Sequence, residues 1–359
     1  MATYTHAEKH NPTMEKMPNL DGLRALACLF VVVSHIPKEG YIGLIGSVGV
    51  GVFFTLSGFL MGYLYAHQTC NSDTLRHYMI ARFTRIVPIY WLVISLCILL
   101  SLLEGADFPL RIDSFTSIIR HYGLAGNVGP FWSIPLEIQY YLFFVVIWYS
   151  LSLRQKMPWA FPLAGFLCAV LIVTNDLWPN LSLPNKLHFF LAGTLAALMP
   201  RNYWKTHRGA RQLIPLQLLA LAAILFPLTQ DYSERSFYDS VGLSIAFASA
   251  IYILSFNSKP TGWLLASRPL RKIGQASFSI YLIHVLVLYY GAHVLQLDHH
   301  HFQPLWLLVA ALATALPMLV SQMIEMPLQR KSRALLERIF SRKLSSDTPA
   351  NNRNYQSLH

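Results

Sequence analysis

The sequence predicts an all-α fold: a polytopic bundle of about ten transmembrane helices with both termini in the cytoplasm. Three observations carry this. The 359 residues are 54% hydrophobic and only 13% charged. Apolar runs close to the ~20 residues that a helix needs to cross a bilayer recur from end to end. The 28 Lys and Arg residues collect in alternate connections. The spans fill residues 19–327 as one transmembrane domain. A cytoplasmic segment, 1–18, precedes them, and a basic, partly disordered cytoplasmic tail, 328–359, follows.

The spans are expected at 20–37, 46–66, 84–103, 131–150, 158–174, 184–199, 212–229, 240–256, 276–297 and 303–325. The fifth and sixth are the weakest, being short and containing or abutting prolines. With the N-terminus inside, the outer loops hold only Lys38, Arg111, Arg120, Lys186 and Arg235. Arg24 lies in the first span, and every other Lys or Arg is cytoplasmic, as positive-inside sorting requires. The +11 charge is then a topology signal and an attraction to anionic membrane lipids, with no need for a nucleic-acid partner. A multi-pass protein of the cell inner (plasma) membrane follows. Cys28, Cys97 and Cys168 fall in spans and Cys70 in a cytoplasmic loop, so neither a disulfide framework nor a metal-ligand spacing is present.

The first span reads LDGLRALACLFVVVSHI. It is not a cleaved signal peptide, because the run is long and no small-residue cleavage site follows. It holds Arg24 and His35, and ionisable groups at membrane depth are costly and mark function by default. Their spacing places them about 20° apart around the helix and about 16 Å apart along it. Asp21 lies on the same side. One face of the helix is a polar track, with a cation near one end and an imidazole near the other.

The second span, GVGVFFTLSGFLMGYLY, carries glycines that allow a helix or a ligand close to the backbone, and Ser57 near mid-membrane. The segment ARFTRIVPIYW opens the third span. Arg82 and Arg85 are neighbours on a helix face, and Pro88 falls where a membrane helix kinks or begins. Such arginines anchor topology, or they clamp the phosphates of a polyanion. The outer stretch 104–130 is the longest loop, with a short surface helix expected from Ser114 to Tyr122. The chain re-enters with GPFWSIPLEIQYYLFF, which puts Glu137 about 9 Å below the outer edge, at a depth similar to that of His35.

In QASFSIYLIHVLVLYY, His284 sits near mid-membrane with Tyr281 one turn before it. The last span ends in SQMIEMPLQRK: Glu325 lies at the inner edge, within reach of Arg24, Arg82 or Arg85, and Pro327 ends the helix. The outer DHHH at 298–301 is not a metal site, because adjacent histidines do not converge on one ion from regular structure.

A histidine takes a proton from a hydroxyl near neutral pH. A carboxylate orients the imidazole or the accepting hydroxyl. Inner arginines hold a phosphate-bearing donor. Together they suit transfer of a group from a cytoplasmic donor to a hydroxyl on the other side, with acyl-CoA as donor substrate and no permanently bound cofactor.

These segments together resemble the acyltransferase 3 family of integral membrane O-acyltransferases. DGLRALACLFVVVSHI is similar to its signature, with the same spacing of Arg24 and His35. GVGVFFTLSGFL, ARFTRIVPIYW, PFWSIPLEIQYYLFF, ASFSIYLIHVLV and EMPLQRK follow in the family's order. The resemblance spans residues 18–330 and implies about ten helices. It also implies transfer of acetyl (from acetyl-CoA) or another short acyl group from acyl-CoA to a carbohydrate hydroxyl of a surface polysaccharide, lipid-linked glycan or peptidoglycan, or in some members to a macrolide. It implies that His35, Arg24 and Glu137 are catalytic. Arg82, Arg85, Ser57, Tyr281 and His284 are expected to bind substrate. Some members carry a fused extracytoplasmic hydrolase-like domain, which is not expected in this chain. The competing reading is a transporter of a small molecule or acyl donor, since intramembrane His, Arg and Glu also form proton relays.

Overall fold

The computed structural model describes residues 17–37, 44–179, 181–298 and 301–346. The expectations for residues 1–16, Lys38, His299, His300 and 347–359 lie outside them. The described residues are helical, with no strand among them. The helices are α1 (Pro18–Ser34), α2 (Ile45–Tyr65), α3 (Ser72–Glu104), α4 (Phe115–Tyr122) and α5 (Ser133–Leu153). They continue with α6 (Ala160–Val173), α7 (Leu187–Ala197), α8 (His207–Leu225), α9 (Glu234–Asp239) and α10 (Val241–Leu254). The last are α11 (Lys259–Leu264), α12 (Arg268–Gln275), α13 (Ser277–Val294), α14 (Leu305–Val320) and α15 (Met326–Ser346).

A helix stands at each of the ten expected positions. Among the described residues, six stretches are long and apolar enough to cross a membrane: Ile45–Tyr65, Ser72–Asp107, Gly129–Leu153, Arg208–Thr229, Ser277–Val294 and Leu305–Ser341. Three shorter apolar helices, α6, α7 and α10, accompany them. The chain is thus a multi-pass membrane protein. α2 is its hub, packed against α1, α5, α7 and α10. The seam with α7 is backbone on backbone. A Cβ on Gly58 would meet the Phe190 carbonyl oxygen at 1.9 Å, and one on Gly193 would meet the Thr55 carbonyl oxygen at 2.0 Å. Only glycine permits this approach in both directions.

Two boundaries differ from expectation. α3 begins at Ser72, because Asn71 and Thr74 form a reciprocal cap in the polar stretch ahead of the apolar run. Pro88 is therefore inside the helix and does not start it. Likewise, Pro327 does not end the last helix. A π turn over Ser321–Glu325 lies immediately before Pro327, and the helix runs on through it into α15, the wider turn making room for the proline ring. The expected tail is helical as far as Ser346. The surface helix expected at Ser114 is α4, capped by the Ser114 hydroxyl.

Candidate active site

Arginines from α1 and α3 converge at one end of the bundle, here named the basic end. Arg24, Arg82 and Arg85 line a basin of about 550 Å³, together with Asp21, Gln275 and Glu325. The same three arginines line a narrower cavity of about 60 Å³ that leads inward and is walled by Ser57, Glu137, Tyr141 and Tyr281. Six of the eight residues singled out in the sequence therefore share this neck. The long polar lead-in of α3 puts Arg82 and Arg85 inside the bundle wall. Arg82 lies between the rings of Tyr65 and Tyr141, 5.8 and 5.7 Å from their centroids. Its Nη2 donates to the Tyr65 hydroxyl at 3.4 Å. The two rings and the Tyr65 hydroxyl hold the guanidinium at the wall of the basin.

Glu137 accepts from Ser57 Oγ at 3.2 Å and from the Tyr141 hydroxyl one turn below it. Ser57 thus bonds across to α5. The carboxylate lies with the arginines, deeper than the expected level beside His35. The cause is local. Pro130 and Phe131 are buried, and the Pro130 carbonyl accepts from the Tyr281 hydroxyl at 2.8 Å. The chain is already inside the bundle when α5 starts, so a count from the rim places Glu137 too shallow.

His35 lines neither cavity. It closes α1 at the C-cap position, and its Nδ1 lies 2.9 Å from the Val31 carbonyl and 3.0 Å from Ser34 Oγ. A carbonyl only accepts, so Nδ1 carries the hydrogen, and Nε2 is the nitrogen suited to take a proton. The His35 ring meets the His284 ring edge to face, with centroids 4.8 Å apart. His284 is fully buried and points Nδ1 at the Tyr281 carbonyl, 2.8 Å away. The Tyr281 hydroxyl also accepts from Ser133 Oγ at 2.8 Å. His35, His284 and Tyr281 thus form a ladder from the end of α1 down to the neck.

The glycines of α2 do not line this path. Gly49 faces the Ala27 carbonyl, Gly58 and Gly62 face α7, and Gly51 faces three phenylalanine rings. Phe53, Phe54, Ser57, Leu60 and Met61 face the neck instead. Sequence reading missed Tyr65 and Tyr141. Tyr141 was findable, because it stands four residues after Glu137 on the same helix face. Tyr65 had no such signal. Glu325, expected near the arginines, lines the basin with them and accepts from Ser279 at 2.5 Å and Ser321 at 2.6 Å.

Comparison with known proteins gives one consistent answer. A sequence model of the acyltransferase 3 family, described as an acyltransferase domain, matches residues 17–322. The chain is 26% identical to the acyltransferase MdmB of Streptomyces mycarofaciens, over 86% of this chain and 88% of that protein. It is 26% identical to the peptidoglycan O-acetyltransferase OatA of Listeria monocytogenes, over 82% of this chain and 53% of that protein. A putative peptidoglycan O-acetyltransferase of Bacillus subtilis, YrhL, is 25% identical over 91% of this chain and 57% of its own length. The chain spans little more than half of these last two relatives. No solved structure matches. With the family pattern covering most of its length and helices, this chain belongs to the acyltransferase 3 family of membrane acyltransferases.

Proposed function

We propose that the protein moves a short acyl group, acetyl first, from acyl-CoA at the basic end to a carbohydrate hydroxyl at the far end, with His35 as general base. The observation that carries this reading is the convergence of Arg24, Arg82 and Arg85 on one basin whose neck is walled by Tyr281, the residue that holds His284 against His35. Guanidinium groups from two helices suit the phosphates of the CoA nucleotide. The thin pantetheine arm suits the neck. His35 Nε2 takes the acceptor proton as the hydroxyl oxygen bonds to the thioester carbon. The C–S bond then breaks, and the leaving thiolate receives the proton from the imidazolium. Glu137, held by Ser57 and Tyr141, orients the donor arm in the neck and does not attack. The relatives' names, an O-acetyltransferase of peptidoglycan among them, support a glycan acceptor.

The test uses radiolabelled acetyl-CoA, detergent-purified protein, and glycans extracted from membranes of cells that express it. The expected result is free CoA released only when glycan is present, with label in the glycan. The competing transport reading would instead give label taken up by proteoliposomes with its thioester intact.

A further inference from the structure

At the far end, a cavity of about 510 Å³ opens between the start of α5, the stretch that follows α6, and α9. Its volume is within the ~300–1,000 Å³ of small-molecule sites. Three aromatic residues, Trp132, Trp178 and Tyr238, line it alongside Asn185 and both signs of charge. We propose that this cavity is the acceptor subsite and binds an uncharged oligosaccharide, a proposal that rests on the glycan-acyltransferase reading above.

Sugar rings present C–H faces that stack on aromatic rings, and rim hydroxyls that need carboxylate and amide partners. The cavity offers both. Trp178 is 44% exposed and forms an open platform, while Tyr238 is buried in the floor. A tryptophan that merely marks a membrane interface faces headgroups, whereas this one borders a cavity shared with Asp176, Glu234 and Asp239. The cations are already engaged. Arg235 reaches Asp176 at 3.3 Å and Asp239 at 3.6 Å, and Lys186 sits 4.6 Å above the Tyr238 ring. Such a site has no clamp for a polyphosphate and no large excess of either sign, which favours a neutral polyhydroxyl ligand.

Position ties the cavity to the reaction path. The Trp132 ring packs edge to face on Phe54, which lines the neck, with centroids 6.0 Å apart, and on Tyr238 at 5.8 Å. The Tyr238 side chain stands beside Ser47, and the adjacent Gly46 abuts Ser34, the neighbour of His35. One layer of rings therefore separates this cavity from the neck, and the first turn of α2 lies between Tyr238 and the end of α1 that carries His35.

Saturation-transfer NMR on the full-length protein in detergent, with chitotriose and maltotriose as probes, tests this. Acetyl-CoA affinity is measured in parallel by calorimetry. At least one trisaccharide is expected to bind, and both Trp178→Ala and Asp239→Asn are expected to weaken it more than fivefold with acetyl-CoA affinity unchanged. Failure of both probes to bind the wild-type protein, or a smaller loss in both variants, overturns the proposal. If saccharide binding depends on Trp178 while acetyl-CoA neither binds nor loses its acetyl group, the subsite stands and the donor reading falls.

Discussion

The imidazole of His35, at the end of α1, meets the imidazole of His284, on α13, edge to face with centroids 4.8 Å apart. One ring is exposed and the other is fully buried. His284 therefore limits where the His35 ring can point, and the Tyr281 carbonyl fixes His284 in turn. Removing a general base costs about 10²–10⁴ in rate. His35→Ala is expected to lose acyl transfer by that order while the protein still inserts and purifies normally. His284→Phe, which preserves the packing, should fall between this variant and the wild type, with donor KM unchanged. CoA-release kinetics on both variants check this, and wild-type rates in His35→Ala would remove the residue from the chemistry.

Arg82→Ala and Arg85→Ala are expected to raise the acetyl-CoA KM about tenfold each, the worth of one charge-assisted hydrogen bond. Arg82→Lys should not restore it, because a point charge cannot fill the planar slot between Tyr65 and Tyr141. A KM comparison of acetyl-CoA with its dephospho analogue provides the check. If both donors respond equally in both variants, the arginines do not read the 3′-phosphate.

Glu137→Gln is expected to lower kcat by more than it raises KM for either substrate. The amide keeps the shape but weakens what Ser57 and Tyr141 hold in place. Tyr141→Phe should show a smaller effect of the same kind. Steady-state kinetics on both variants separate this from a binding role, which would appear in KM alone.

Gly58→Ala and Gly193→Ala each force a methyl group onto a carbonyl oxygen of the opposing helix. Overpacking of this sort costs about 1–3 kcal/mol. Both variants are expected to melt lower in detergent than the wild type. Gly165→Ala on α6 is the matched control, because nothing lies within 4 Å of its added Cβ. It should be neutral, or stabilising by roughly 0.5–1 kcal/mol through helix propensity.

Helix positions were legible because a bilayer demands long apolar runs, and those runs survive in the sequence whatever packs against them. Helix ends were less so. The cap at Asn71 and the π turn before Pro327 arise from a few polar contacts that apolar periodicity does not register. The site was partly legible for the same reason. Arg24, Arg82, Arg85 and Glu137 stood out as charges in apolar surroundings, and they share one neck. Their depths were not, because the start of α5 is sunk into the bundle. Tyr65 and Tyr141 escaped notice because a tyrosine in a membrane helix is unremarkable until a guanidinium lies against its face.

The crossing of α2 and α7 bears on how the enzyme breathes. Two helices clasped main chain to main chain at Gly58 and Gly193 cannot slip past each other, so they travel as a single rigid plate. That plate is one jamb of the doorway between basin and ladder. Any widening of that doorway must therefore come from the other helices that line it, α1, α3, α5 and α13, the last two meeting through the Ser133–Tyr281 and Tyr281–Pro130 hydrogen bonds, links that reform as readily as they break.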